Sequence, residues 1–108
     1  MDTGFRPLSS RKPQRVPINS ALSFNLVDAK AGSNICLVSM VLASSGAGTV
    51  IFKSNDTEIG RVTFKANDPP MVLGRNADGW LETLEGEALF VANAGALTLT
   101  GFATYVWI

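Results

Sequence analysis

The chain has 108 residues, 46% of them hydrophobic and 17% charged, with nine basic and nine acidic side chains, one cysteine and no histidine. That length fits one domain with one core, and the charged fraction lies below the roughly 25% of an average globular chain, which leaves surface for a partner to cover. Without histidine, Cys–His and Ser–His–Asp nucleophile activation and the common zinc sites are excluded.

The zero net charge hides an asymmetry. Residues 1–20 carry Arg6, Arg11, Lys12 and Arg15 against Asp2, a net of +3, while residues 21–108 carry five basic and eight acidic side chains, a net of −3. Residues 1–19 hold three of the five prolines, Pro7, Pro13 and Pro17, and their apolar residues Phe5, Leu8, Val16 and Ile18 keep no helical period. Proline removes a backbone donor and fixes φ, so residues 1–19 read as an extended basic arm and residues 20–108 as the folded domain. A solvated tail gains nothing from apolar anchors. The arm is therefore expected to order on a neighbour, through Phe5, Arg6, Leu8, Arg11, Lys12 and Arg15. With few charges and no interleaved stacking aromatics, it is not expected to bind nucleic acid directly. The opening "MDTGFRPLSSRKPQR" lacks the apolar h-region of a secretory signal, and no run of about 18 apolar residues exists to span a membrane as a helix.

From Ser20 onward, short β runs alternate with turn chemistry. "ALSFNLV" places Leu22, Phe24 and Leu26 on one face by period two. "ICLVSMVLA" is apolar on both faces and rich in β-branched residues, the pattern of a central strand. "TVIFKS" turns Val50 and Phe52 inward, and Asn55-Asp56 tolerate the left-handed backbone of a tight hairpin. "RVTFKA" alternates Val62 and Phe64 against Arg61, Thr63 and Lys65, and "NDPP" ends it. "MVLG", "EALFVAN" and "LTLTGFATYVWI" supply further strands, the last with Leu97, Leu99, Ala103, Tyr105 and Trp107 on one side. Seven or eight strands with turns at this spacing predict an all-β fold, an antiparallel β-sandwich of jelly-roll or Greek-key type. Ending on Trp107-Ile108, the last strand is expected to be held in a sheet, with its outer face against a partner.

The acid-rich stretch "DGWLETLEGEALFV" invites other readings. Glu82, Glu85 and Glu87 could be the carboxylate pair of a glycosidase, but catalytic carboxylates come from separate elements bordering a cleft, and this chain has little material for one. "SNDTE" and "RNADG" lack EF-hand spacing and read as turns. "SSGAG" and "AGA" match no nucleotide-binding loop. Cys36, inside the most apolar segment, reads as a small buried hydrophobe. No catalytic residue, cofactor or metal is expected.

The run from Gly48 to Val106 resembles a family of small tailed-bacteriophage virion proteins, which carry a "VTFKSG…I" hairpin, a "GWFET…GEALN" corner and a closing "V.G..TYV" strand. The matching pieces are Val50-Ile51-Phe52-Lys53-Ser54, Gly79-Trp80-Leu81-Glu82-Thr83, Gly86-Glu87-Ala88-Leu89 and Gly101-Phe102-Ala103-Thr104-Tyr105-Val106. The chain departs from the pattern at Leu81, at Phe90 and in "NDPPMVLGRN". The resemblance implies a jelly-roll capsid decoration, or cement, protein: a homotrimer bound to the major capsid protein on the outside of the virion shell, made in the host cytoplasm. Trp80, Tyr105 and Trp107 are then subunit-contact residues. The alternative is a tail- or fibre-associated receptor- or glycan-binding module, in which the same aromatics stack on sugar.

Overall fold

A computed structural model describes residues 12–76, 78–93 and 97–108; Phe5, Arg6, Leu8 and Arg11 lie outside them. The described residues form nine strands: β1 (Gln14–Ser20), β2 (Phe24–Val27), β3 (Ile35–Ser44), β4 (Gly48–Ser54), β5 (Thr57–Phe64), β6 (Met71–Leu73), β7 (Leu81–Glu82), β8 (Leu89–Asn93) and β9 (Leu99–Trp107). They make two antiparallel sheets packed as a sandwich. Sheet A has the order β1-β9-β3-β6, with β7 also on β3, and sheet B has the order β2-β8-β4-β5.

The pairing is nested. β1 pairs with β9, β2 with β8, β3 with β6 and β7, and β4 with β5, an arrangement compatible with a jelly roll. Between the sheets lies a core that includes Ile35, Leu37, Met40 and Leu42 of β3, Val50 and Phe52 of β4, Leu89 and Val91 of β8, and Leu99 and Ala103 of β9. Alternation explains most of it, since residues two apart share a face.

β3 is apolar on both faces, as its sequence predicts. A bulge supplies part of the reason: Leu37 pairs with Tyr105 and Ser39 with Thr104, leaving Val38 as the extra residue. Cys36, Val38 and Val106 form a second small cluster, with Ile108 packed against it.

Two expectations change. Residues 14–19, assigned by sequence to the arm, form β1 together with Ser20, and Ile18 enters the core. Proline is tolerated because β1 is an edge strand. Leu22, expected inward with Phe24 and Leu26, is 73% exposed: Ser20 Oγ accepts from Leu22 N and donates to Leu22 O, turning the chain before β2 begins.

Candidate functional site

The acid-rich corner is a structural clamp. Ser54 at the end of β4 is 1% exposed; its hydroxyl donates to Glu87 Oε1 at 2.5 Å and accepts from Leu84 N at 3.0 Å. Thr83, 2% exposed, accepts at Oγ1 from Ile35 N, and its own N–H donates to Ile35 O. Asn34 Nδ2 donates to Thr83 O and Glu82 Oε2. Asn55, at φ 48°, pairs with Ala88 in both directions: its N–H donates to Ala88 O, and Ala88 N donates to its Oδ1. Glu82 and Glu87 thus accept hydrogen bonds from neighbouring side chains, and the corner stitches β4, β7 and β8 together. Three of the motif pieces quoted above meet here through Ser54, Thr83 and Glu87.

The aromatic residues do not share one surface. Tyr105 and Trp107 face the core side of β9, partly buried, with ring centroids 5.5 Å apart in a T-shaped pair. Lys30 Nζ sits 5.2 Å from the Trp107 ring. Trp80 stays 45% exposed, its indole N–H donating to Gly74 O at 2.8 Å. It lines an apolar groove of about 210 Å³ with Phe52, Val62, Met71, Leu73 and Leu81, at the seam between β5 of sheet B and the β6–β7 edge of sheet A. Gly60 closes on this seam: a Cβ there would lie 2.9 Å from Leu81 Cδ2.

Register reveals a surface that sequence reading missed. Pro17 pairs with Phe102, Phe102 with Val41, and Val41 with Val72, so one apolar row crosses β1, β9, β3 and β6 of sheet A. Alternation sets these residues opposite the core-facing set, and Val72 and Phe102 are 68% and 38% exposed. Arg15, one of the expected arm contacts, lies beside the row with its guanidinium 5.1 Å from the Phe102 ring; Lys12 is exposed just before β1. No signal within any one strand could have found this row, because its members come from segments far apart in sequence.

On sheet B, a polar depression of about 280 Å³ is lined by Asn25, Lys53, Asn55, Asp56, Ala88 and Phe90. At the edge of that sheet Arg61 and Glu58 form an exposed ion pair through two hydrogen bonds. The Arg61 hydrogen bond holds the Glu58 carboxyl below its ordinary pKa and raises that of Arg61.

No family model, curated protein or solved structure matches the chain. Among the described residues, no group of three or more Cys, Asp or Glu could hold a metal ion, and no helix is long and apolar enough to cross a membrane. The described residues present an apolar row, an apolar groove and a polar depression on the surface.

Cys36 is 1% exposed, and burial, with the Glu82 charge adding to it, pushes its thiol pKa up. The thiol stays protonated at neutral pH, so an aromatic disulfide reagent is expected to modify it only after denaturation. A raised folded pKa contributes stability that is fully present below the ordinary thiol value and is lost as pH rises through the folded value. A Cys36→Ala variant should accordingly show a flatter alkaline limb in a thermal-denaturation series.

Proposed function

We propose that the protein is a non-enzymatic virion component of a tailed phage. It decorates and stabilises the outside of the capsid shell as a homotrimer, in contact with the major capsid protein. The observation that carries this reading is where the family-like pieces fall. Ser54, buried, joins Leu84 N to the half-buried Glu87, Thr83, also buried, ties the same loop to Ile35 of β3, and Gly101 occupies a position on β9 that admits no side chain. The resemblance therefore lies in residues that determine the fold, beyond shared composition. The exposed apolar row on sheet A supplies a broad face for a protein partner, since patches of this kind mark interaction sites.

The test uses purified shells that lack the protein. Added full-length chain is expected to co-sediment with the shells and raise their resistance to heat. Because β1 begins at Gln14, the informative truncation removes residues 2–11, which spares every described strand and is expected to abolish shell binding. Undiminished binding by the truncated chain would sink the arm's role.

The depression beside Phe90 favours a second reading, a glycan-binding module of the tail or fibres, since an aromatic ring flanked by amide and carboxylate groups suits a sugar ring. Retention on a glycan surface, lost on Phe90→Ala, with no binding to shells, decides for that reading.

A further inference from the structure

The outer faces of the two sheets differ in chemistry. On sheet B, Asn25 pairs with Phe90 and Phe90 with Lys53, so these residues make one row across β2, β8 and β4. Their strand neighbours Phe24, Val91 and Phe52 pack in or against the core, which by alternation turns the row outward. Asn55, Asp56 and Ala88 complete the polar depression of about 280 Å³.

The lining combines one aromatic ring with polar groups that still have bonds to make. Phe90 is half-buried on the outer face. Asn55 is fixed in place, because its N–H donates to Ala88 O and its Oδ1 accepts from Ala88 N; its Nδ2 donors are left for another acceptor. Lys53 and Asp56 take part in no hydrogen bond or ion pair among the described residues. Lysine only donates, an ionised aspartate only accepts, and a hydroxyl does both. Vicinal hydroxyls on a ring with an apolar face are therefore the chemistry that this arrangement fits.

We propose that the depression binds a single neutral pyranose ring, with its C–H face on Phe90 and two neighbouring hydroxyls between Lys53 and Asp56. Charge sets the class of sugar. The lining holds one cation and one carboxylate, and Glu58 stands next to Lys53 across the β4–β5 ladder, so an ionised sugar gains no net attraction here. Volume sets the number of rings, since about 280 Å³ falls just short of the roughly 300–1,000 Å³ of pockets that enclose drug-sized ligands. Sugar binding at this site rests on the glycan-binding reading above, but it does not compete with a partner on sheet A. The Pro17–Phe102–Val41–Val72 row lies on the opposite side of the sandwich, so a protein covering that row leaves the depression open.

The experiment titrates the full-length chain with the methyl glycosides of glucose, galactose and mannose, and with those of glucuronic and galacturonic acid, read by amide NMR. At least one neutral glycoside is expected to shift the Asn25 and Asn55 side-chain amides and the Phe90 backbone signal. A ring of about a dozen non-hydrogen atoms on an open surface should saturate in the millimolar range, and the acids should bind more weakly. Phe90→Ala is expected to weaken binding about tenfold or more. Asp56→Asn, which keeps a turn-forming residue, should weaken it about fivefold. Both variants should melt like the parent and co-sediment with shells as the parent does. Tighter binding of the acids overturns the choice of a neutral ring, and a Phe90→Ala chain that binds sugar like the parent overturns the site. Shifts centred on Trp80 in place of Phe90 leave the glycan-binding reading standing and overturn this location, whereas no shift with any of the five sugars overturns both.

Discussion

Gly101→Ala is expected to abolish the native fold. Gly101 sits in β9, between Ile18 of β1 and Leu42 of β3, at φ +140°. A Cβ there would lie 1.9 Å from Val41 O and 2.8 Å from Val41 C, both backbone atoms of the adjacent central strand. Neither atom can rotate away, so relief requires β3 and β9 to part and break the ladder at the middle of sheet A. Unfavourable backbone conformation alone costs about 1–3 kcal/mol, and the clash adds to it, against a total stability of about 5–15 kcal/mol for a domain. A fall in melting temperature of about 15 °C or more is expected, or recovery only in the insoluble fraction. Gly46→Ala is the control: no atom lies within 4 Å of its Cβ position, and a change within about 0.5 kcal/mol is expected. If Gly101→Ala melts like the parent, the close approach of β3 and β9 is wrong.

Ser54→Ala should be nearly as damaging although it removes a single oxygen. The hydroxyl links Leu84 N to Glu87 Oε1 inside the corner. Its loss leaves a backbone donor without that acceptor and a half-buried carboxylate without that donor. An unsatisfied buried polar group costs about 1–3 kcal/mol, and more when it is charged, so a loss of about 2–4 kcal/mol is expected in urea denaturation. Glu87→Gln keeps an acceptor at the same place and should cost far less. That contrast tests whether Glu87 serves the corner as a hydrogen-bond acceptor rather than through its charge.

The all-β sandwich was legible in the sequence because alternation is local. Val50 and Phe52, Val62 and Phe64, and Leu99 and Ala103 face the core as period two predicts. The Asn55-Asp56 turn sits where its left-handed tolerance placed it, with Asn55 at φ 48°. Other features follow from geometry that no single segment holds. β1 was hidden because prolines usually argue against a ladder, yet an edge strand needs hydrogen bonds on one side only. The Val38 bulge shifts the register of a strand already apolar on both faces, so the sequence carries no mark of it. The indole N–H of Trp80 is held by Gly74 O in the loop before it, a contact that keeps the ring on the rim of the groove and that no local pattern announces. The row of Pro17, Phe102, Val41 and Val72 exists only once four distant strands are in register.

The nested strand order has a consequence for how the chain is made. Partners in β1 and β9 lie 79 to 91 residues apart, from Ser20 with Leu99 to Gln14 with Tyr105, and β9 also separates β1 from β3. Sheet A therefore has no middle until β9 leaves the ribosome. The β4–β5 hairpin, closed by Ser54 and Thr57, can form early; β3 cannot find its main partner then. At about 5–20 residues per second, roughly 3 to 11 s pass between synthesis of Ser44 and of its partner Leu99. Throughout that interval the run "ICLVSMVLA" is the most adhesive part of the nascent chain. Folding of sheet A thus waits for β9, and the yield of native protein depends on what shields β3 in that interval.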